Sequence, residues 1–401
     1  MTILNASFSQ TAPIPAYTDI VNGTEIVGSL PVAGPMVCNP SSGDVYIATG
    51  NLAVGSSQNR LFIISGESIV SNLTTGVGCN TVNYCNYVDQ MFFNPFDQDL
   101  YLVYAYNTYL SVTVVKGTSI TNDVVSWSGV GAGCLAMDSS DGDVYVGSTY
   151  SYQVAVLRDG AQISSVPTQL GNCPMLYDQS NGLVYAGTGP SITALRGTSI
   201  VGKVTLAGFL FGPDSLQADG SLVYAEGVDR LSVVEGLSVI AQLNFSQGSL
   251  MGEMAVNPTN GFVYLQQSFP NSLTSVINVI SRTDLVANIS SGLGEYGSEF
   301  AMGVDTANGF TYAFSAPQFN GTGVENNYLL VLSGRNIIVN QTLPSLVVIS
   351  TAEGSGEFYA LVQPEGWLYN DFLPLGENLV VLSNSSVQAN LSLIVYPPVS
   401  I

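Results

Sequence analysis

The sequence predicts an all-β fold, a β-propeller of four-stranded antiparallel blades, eight in number with seven as the alternative. Three observations carry this. One polar turn followed by a hydrophobic-tyrosine strand recurs eight times, at intervals of 39 to 57 residues, close to the period of a four-stranded blade. A second polar turn between two β-branched strands recurs after each of them. Helical periodicity is absent, and short β-branched runs bounded by Gly, Pro, Asn and Asp read as strands throughout.

The first hairpin appears in order as NPSSGDVYIATG, NPFDQDLYLVYA, DSSDGDVYVGST, DQSNGLVYAGTG, QADGSLVYAEGV, NPTNGFVYLQQS, DTANGFTYAFSA and VQPEGWLYNDFL. Its anchors are Tyr46, Tyr101, Tyr145, Tyr185, Tyr224, Tyr264, Tyr312 and Tyr369. The Asn/Asp/Gly residues supply the positive-φ positions of tight hairpins. The tyrosines hold a fixed strand position, which predicts core or inter-blade packing. The second hairpin turns at Gly66, Gly117, Gly160, Gly197, Gly236, Arg282, Gly334 and Asn384, and once more, ahead of the first repeat, at Gly23. Insertions are expected near 75–90, 313–326 and 347–356, and the last interval, with VVISTAEGSGEFYALV, is the place where a divergent repeat would reduce eight blades to seven.

One second-type hairpin is therefore surplus. The chain divides into residues 1–28, an extended segment plus that hairpin, and 29–401, the propeller. Residues 1–28 either extend the last blade and close the ring or pair with an exposed edge on a neighbouring molecule, since unpaired edge groups are a template for strand addition.

These repeats resemble the YVTN-type β-propeller proteins of archaeal and bacterial cell surfaces. NPTNGFVYL at 257–265 with NVISRTDLVANI at 278–289, and NPSSGDVYI with VVKGTSI, carry the resemblance, which covers about residues 19–395. It implies the fold and a cell-surface setting for a surface-layer component, adhesin or binding platform, and it says little about activity.

Composition excludes several function classes. Charged residues make up 9%, with 29 acids against 8 bases and a net charge of −21. Nucleic acid is excluded as a partner, because phosphate recognition needs clustered Lys and Arg. No run reaches 18 apolar residues, so no helical membrane span is expected. The opening MTILNASFSQTAPIPAY has no basic start and no apolar core, and is read as a mature terminus. Uncharged Ser, Thr, Asn and Gly supply most of the polarity, which suits an exposed, acidic habitat.

Asn-X-Ser/Thr sequons occur at Asn5, Asn22, Asn72, Asn244, Asn288, Asn320, Asn340, Asn384 and Asn390. In four repeats the Asn lies six positions after the second turn (Asn72, Asn288, Asn340, Asn390), and Asn244 lies two further along. The outermost strand of a blade faces solvent, where an N-linked glycan fits. Among the five cysteines, Cys79 and Cys85 bracket a short loop that a disulfide would close. Cys38, Cys134 and Cys173 fall in buried strands, where free thiols act as small hydrophobes.

Chemistry is sparse. The chain has no histidine, which removes Ser-His-Asp and Cys-His machinery. No cofactor is expected. DSSDGD brings Asp138, Asp141 and Asp143 together as a weak calcium candidate, though turn chemistry alone accounts for the Asp and Gly. Tyr104, Tyr106, Tyr109 and Trp127 form a less regular aromatic group that would suit a sugar or protein. Glu253, Glu295, Glu299, Glu353 and Glu357 scatter through expected loops without forming a pair.

The leading expectation is an extracellular glycosylated structural protein, not an enzyme, whose partner is itself in a homopolymer or other surface proteins. The alternative is a monomeric adhesion or ligand-binding module recognising glycans or proteins. A carboxylate-dependent hydrolase comes third.

Overall fold

A computed structural model describes the strands and most turns between residues 18 and 392. Residues 1–17, 51–57, 79–86, 291–299, 316–326, 365–377, 393–401 and shorter connecting stretches lie outside the described residues. The fold is an all-β propeller. The described strands form eight four-stranded antiparallel sheets and one two-stranded sheet. The blades run Met36–Gly78, Tyr87–Ser128, Gly133–Pro167, Met175–Leu210, Leu216–Asn244, Leu250–Ser290, Phe300–Leu343 and Leu346–Ser392. Within each, the strands pair in chain order, first to fourth. The first strands of successive blades lie against one another from the first blade to the eighth.

The core sits between blades. Tyr101, Val103, Leu110 and Val112 of the second blade pack on Val144, Val146, Ala155 and Leu157 of the third. Leu222, Tyr224 and Val233 of the fifth meet Met254, Val263 and Ile280 of the sixth. Both faces of the middle strands are thus covered, which is why they read as continuous hydrophobic runs such as VYVGS, buried at every position. The anchor tyrosines do more than fill space. The Tyr185 hydroxyl donates to the Gly236 carbonyl at 2.8 Å, and Tyr264 donates to Gly334 at 2.9 Å. Tyr101 accepts from the Gly160 N–H at 3.2 Å and donates to Asp97 at 2.6 Å. Gly236, Gly334 and Gly160 lie in the outer turn of the following blade, so Tyr185, Tyr264 and Tyr101 clasp one blade to the next, while Asp97 lies in the inner turn of Tyr101's own blade.

The inner turns add a second clasp. Asn94 Nδ2 donates to the Gly142 carbonyl at 2.8 Å and Asn257 Nδ2 to Gly309 at 2.9 Å, each in the next blade's inner turn. Gly142 has φ +82, and a Cβ there would stand 2.7 Å from Phe96 Cβ. Only glycine meets both the backbone and the packing demand at that point.

Three expectations need correction. The last interval holds a complete blade: Leu346–Glu353 and Phe358–Pro364 are its first two strands, so 347–353, expected as insertion, is strand, and 354–357 lie outside the described residues. Tyr359, paired with Ala352 and Val381, takes the anchor position, and Tyr369 lies outside the described residues. Cys134 and Cys173 are not free thiols; they form a disulfide with Cα atoms 5.7 Å apart, linking the third blade to the entry of the fourth. Cys79 and Cys85 lie outside the described residues.

Thr18–Asn22 (β1) and Glu25–Leu30 (β2) form the two-stranded sheet. Asn22 pairs with Glu25 and Val21 with Ile26, then a one-residue bulge precedes Ile20–Gly28. The outer hairpins repeat that sequence of pairs and bulge, as in Arg158–Ala161, Leu157–Gln162, bulge, Val156–Ser164. By register, β1 and β2 are the third and fourth strands of a blade, and among the described residues no strand takes the place of its first or second.

Candidate interaction surface: the outer rim

The fourth strands form the rim: Ser68–Gly78, Ser119–Ser128, Ala161–Pro167, Ser199–Leu210, Ser238–Asn244, Asp284–Ser290, Asn336–Leu343 and Ser386–Ser392. Each is hydrogen-bonded on one side only, by the third strand. The second ladder pair beyond the bulge holds Asn72 opposite Phe62, Asn288 opposite Asn278, Asn340 opposite Leu330 and Asn390 opposite Val380. The same register position carries Ser165, Lys203 and Gln242 in the third, fourth and fifth blades. Asn72, Asn288, Asn340, Ser165, Lys203 and Gln242 are all exposed. Asn244 is exposed too, at the strand end opposite Arg230. Asn22 closes the β1–β2 turn, whereas Asn5, Asn320 and Asn384 lie outside the described residues.

Two residues before that position, on the same side of the strand, stands an exposed aliphatic: Val70, Ile163, Val201, Ile240 and Ile338, between 43% and 59% exposed. The sequence analysis names no such belt, because β-branched residues mark a strand without saying which of its faces is buried. The period-2 alternation of Ser238–Asn244, exposed at every second residue, carries the signal. The second blade departs from the pattern. Its register shifts between Thr121 and Val125, and Asn122 and Asp123 accept from Thr113 at 3.1 Å and Ser111 at 2.6 Å.

The calcium candidate resolves into turn and ion-pair chemistry. Asp138 accepts from the Ser140 N–H and hydroxyl at 2.8 and 2.6 Å, and Asp141 accepts from the Asp143 N–H at 3.0 Å. Arg158 clamps the buried Asp143 through Nε at 2.6 Å and Nη2 at 2.7 Å, a bidentate fork that satisfies both oxygens. Among the described residues no group of three His, Cys, Asp or Glu is placed to hold a metal ion.

The aromatic group is brought together only in part: Tyr106 stands opposite Tyr109 in the ladder. Tyr104 is buried and donates to Thr75 at 2.8 Å, and Trp127 packs between the second and third blades. Tyr109 shares a hydrogen bond with Ser126 at 2.7 Å, and the Tyr106 side chain lies outside the described residues. Exposed aromatics among the described residues are Phe96, at 52%, in the second blade's inner turn, and Tyr150 and Tyr152, at 60% and 62%, on one connection of the third blade. Glu253 and Glu353 fall in first strands rather than loops; Glu295, Glu299 and Glu357 lie outside the described residues.

Burial pushes the Tyr104 and Tyr224 hydroxyls up to about 12, with nearby Asp219 adding to the rise at Tyr224. Tyr101 and Tyr145 are raised further, by burial first, with Asp97 hydrogen-bonded to Tyr101 and Asp143 close to Tyr145. Asp99, buried beside Asp97, is also raised, with Lys116 at 3.6 Å opposing the shift. In each of these groups burial is the largest cause of the rise.

No protein-family model matches the chain. No curated protein is similar to it in sequence. Solved structures are similar in fold. The dihydro-heme d1 dehydrogenase NirN, in complex with DHE, aligns at TM-score 0.52 and 13% identity, over 92% of this chain and 78% of that one. The WD40 domain of Toxoplasma gondii coronin aligns at TM-score 0.46 and 9% identity, over 74% of this chain and 79% of the other. The Kuenenia stuttgartiensis hydrazine synthase aligns at TM-score 0.47 and 12% identity, over 74% and 95%. The dehydrogenase likeness carries the propeller fold and nothing finer.

Proposed function

We propose that the chain is an extracellular, glycosylated structural protein of the YVTN type, the self-assembling subunit of a surface layer, filament or matrix. The observation that carries this reading is the β1–β2 hairpin. Every four-stranded sheet already holds its own four strands, so no described blade needs a strand from β1–β2. A two-stranded hairpin alone is marginal in water, and this one has the register of an outer half-blade. A neighbouring molecule offers what it lacks. That weighs for strand donation over ring closure.

Two features support the setting. A buried disulfide between blades belongs to oxidising compartments. Exposed sequon asparagines at one register position are suited to N-linked glycans, which keep a weakly charged rim hydrated. We read the protein as non-catalytic: of the buried carboxylates, Asp138, Asp143 and Asp178 hold turns or Arg158, and Asp99 is paired with Lys116. The second reading, a monomeric adhesion or ligand-binding module, is favoured by the exposed Tyr150 and Tyr152 pair, which offers aromatic faces to a sugar or protein.

Electron microscopy of the natively produced protein, with glycopeptide mapping, tests the proposal. Extended assemblies and glycans on Asn72, Asn288, Asn340 and Asn390 are expected. Single rings at all concentrations would leave the binding module as the better reading.

A further inference from the structure

The rim is not uniform around the ring. The first, sixth, seventh and eighth blades carry a sequon asparagine at the equivalent fourth-strand position, as Asn72, Asn288, Asn340 and Asn390. The second, third and fourth blades carry no sequon on their fourth strands. These three are consecutive, their first strands in contact. The rim thus has an arc with glycan acceptors and an arc without.

One strand of the bare arc stands apart. Ser199–Leu210 is the longest strand described, at 12 residues. Ile200 and Val201 are 47% and 45% exposed on it. It also bears Lys203, the single Lys or Arg on any fourth strand. The donor hairpin has the opposite character: β1 and β2 contain Asp19 and Glu25 and no base. A third strand in any blade is hydrogen-bonded on both sides, whereas β1, its equivalent, pairs among the described residues with β2 alone.

We infer that the outer edge of the fourth blade, Ser199–Leu210, is the acceptor for the β1–β2 hairpin of a second copy, joined through the free edge of β1. The inference rests on the assembly reading above and specifies its partner and site. Backbone ladder bonds supply the adhesion. Lys203 facing an acidic hairpin selects this edge over the others, since charge complementarity acts mainly on choice of partner. Head-to-tail addition of this kind is heterologous and builds an open chain of rings.

A charge swap in the full-length chain tests it by sedimentation velocity. Lys203→Glu sets an acidic acceptor against the acidic hairpin, and the double variant Asp19→Lys, Glu25→Lys sets a basic hairpin against Lys203. Each alone is expected to weaken self-association by about tenfold, and their mixture to restore it in equal stoichiometry. Circular dichroism of each variant matching the wild type separates lost contact from lost folding. Lys203→Asn adds an independent arm, because Thr205 follows at the right spacing and creates a sequon; its glycosylated form is expected to stay as single rings. Assembly unchanged in Lys203→Glu and in glycosylated Lys203→Asn overturns this acceptor while leaving assembly itself standing. Failure of the mixture to recover overturns the pairing of these charges. A wild-type chain that never assembles overturns the functional reading, and this inference with it.

Discussion

At the residue scale, the clasp gives the hydroxyl a role at Tyr101, Tyr185 and Tyr264, where any large hydrophobe would fill the space. Phenylalanine packs equally well but leaves the Gly334 carbonyl without the partner that Tyr264 supplies at 2.9 Å. Tyr264→Phe is expected to destabilise the fold by about 1 kcal/mol, as is Tyr185→Phe, in chemical denaturation. Tyr152→Phe, on an exposed residue, is the control and should change nothing. Asp99 makes a second prediction. Burial first, then Asp97, raises its pKa, so the folded state holds the proton to higher pH than the unfolded chain. Its contribution to folding is therefore most favourable in acid, below the ordinary value of 3.8, and declines as pH rises through the folded value. Asp99→Asn should raise the unfolding midpoint at pH 7 and leave it unchanged near pH 3 (a neutral carboxyl and an amide are then equivalent).

At the scale of elements, the hairpins were legible because turn chemistry and alternation repeat. The polar turn before a hydrophobic-tyrosine strand, with Gly in six cases and Gln98 at positive φ in the second blade, marks seven inner hairpins correctly. The eighth was misplaced for a physical reason. The sequence between Leu346–Glu353 and Phe358–Pro364 has no Asn-Pro or Asp start, while PEGWLY at 364–369 imitates the familiar signature. The register position of the sequons was readable by counting from the turn, since a fixed bulge makes the count constant. The Cys134–Cys173 bridge was not readable. Its partners are 39 residues apart, and only the stacking of successive first strands brings them together. In the chain-entropy picture, closing a loop of that length contributes about 4 kcal/mol. Replacing both cysteines with alanine should cost up to about that much, with loss concentrated at the junction of the third and fourth blades. Hydrogen exchange, slow in Val144–Ser148 of the wild type and faster in the variant, would show it; an equal change in every blade would mean the bridge acts on the whole ring.

For the whole molecule, charge sets the terms of assembly. Each copy carries −21, so two copies repel at long range in dilute buffer. The contact inferred at Lys203 works the other way, through exposed ion pairs worth roughly 0–1 kcal/mol each. Salt screens both, at a Debye length of about 8 Å near 0.15 M. The repulsion involves many charges spread over both rings, and the attraction only Lys203 with Asp19 and Glu25. The repulsive part is therefore the larger, and screening should favour association overall. The same holds for acidification: as pH falls toward the isoelectric point near 4.1, the carboxylates lose charge and the rings approach more readily. Light scattering at pH 7 across 0.02 to 0.5 M salt is expected to show assemblies growing with ionic strength, and growing again as pH is lowered to about 5. Lys203→Glu should shift that growth to higher salt rather than abolish it, because the backbone ladder remains available once repulsion is screened. Assemblies that dissolve on adding salt would instead mean that ion pairs, not strand addition, hold the copies together.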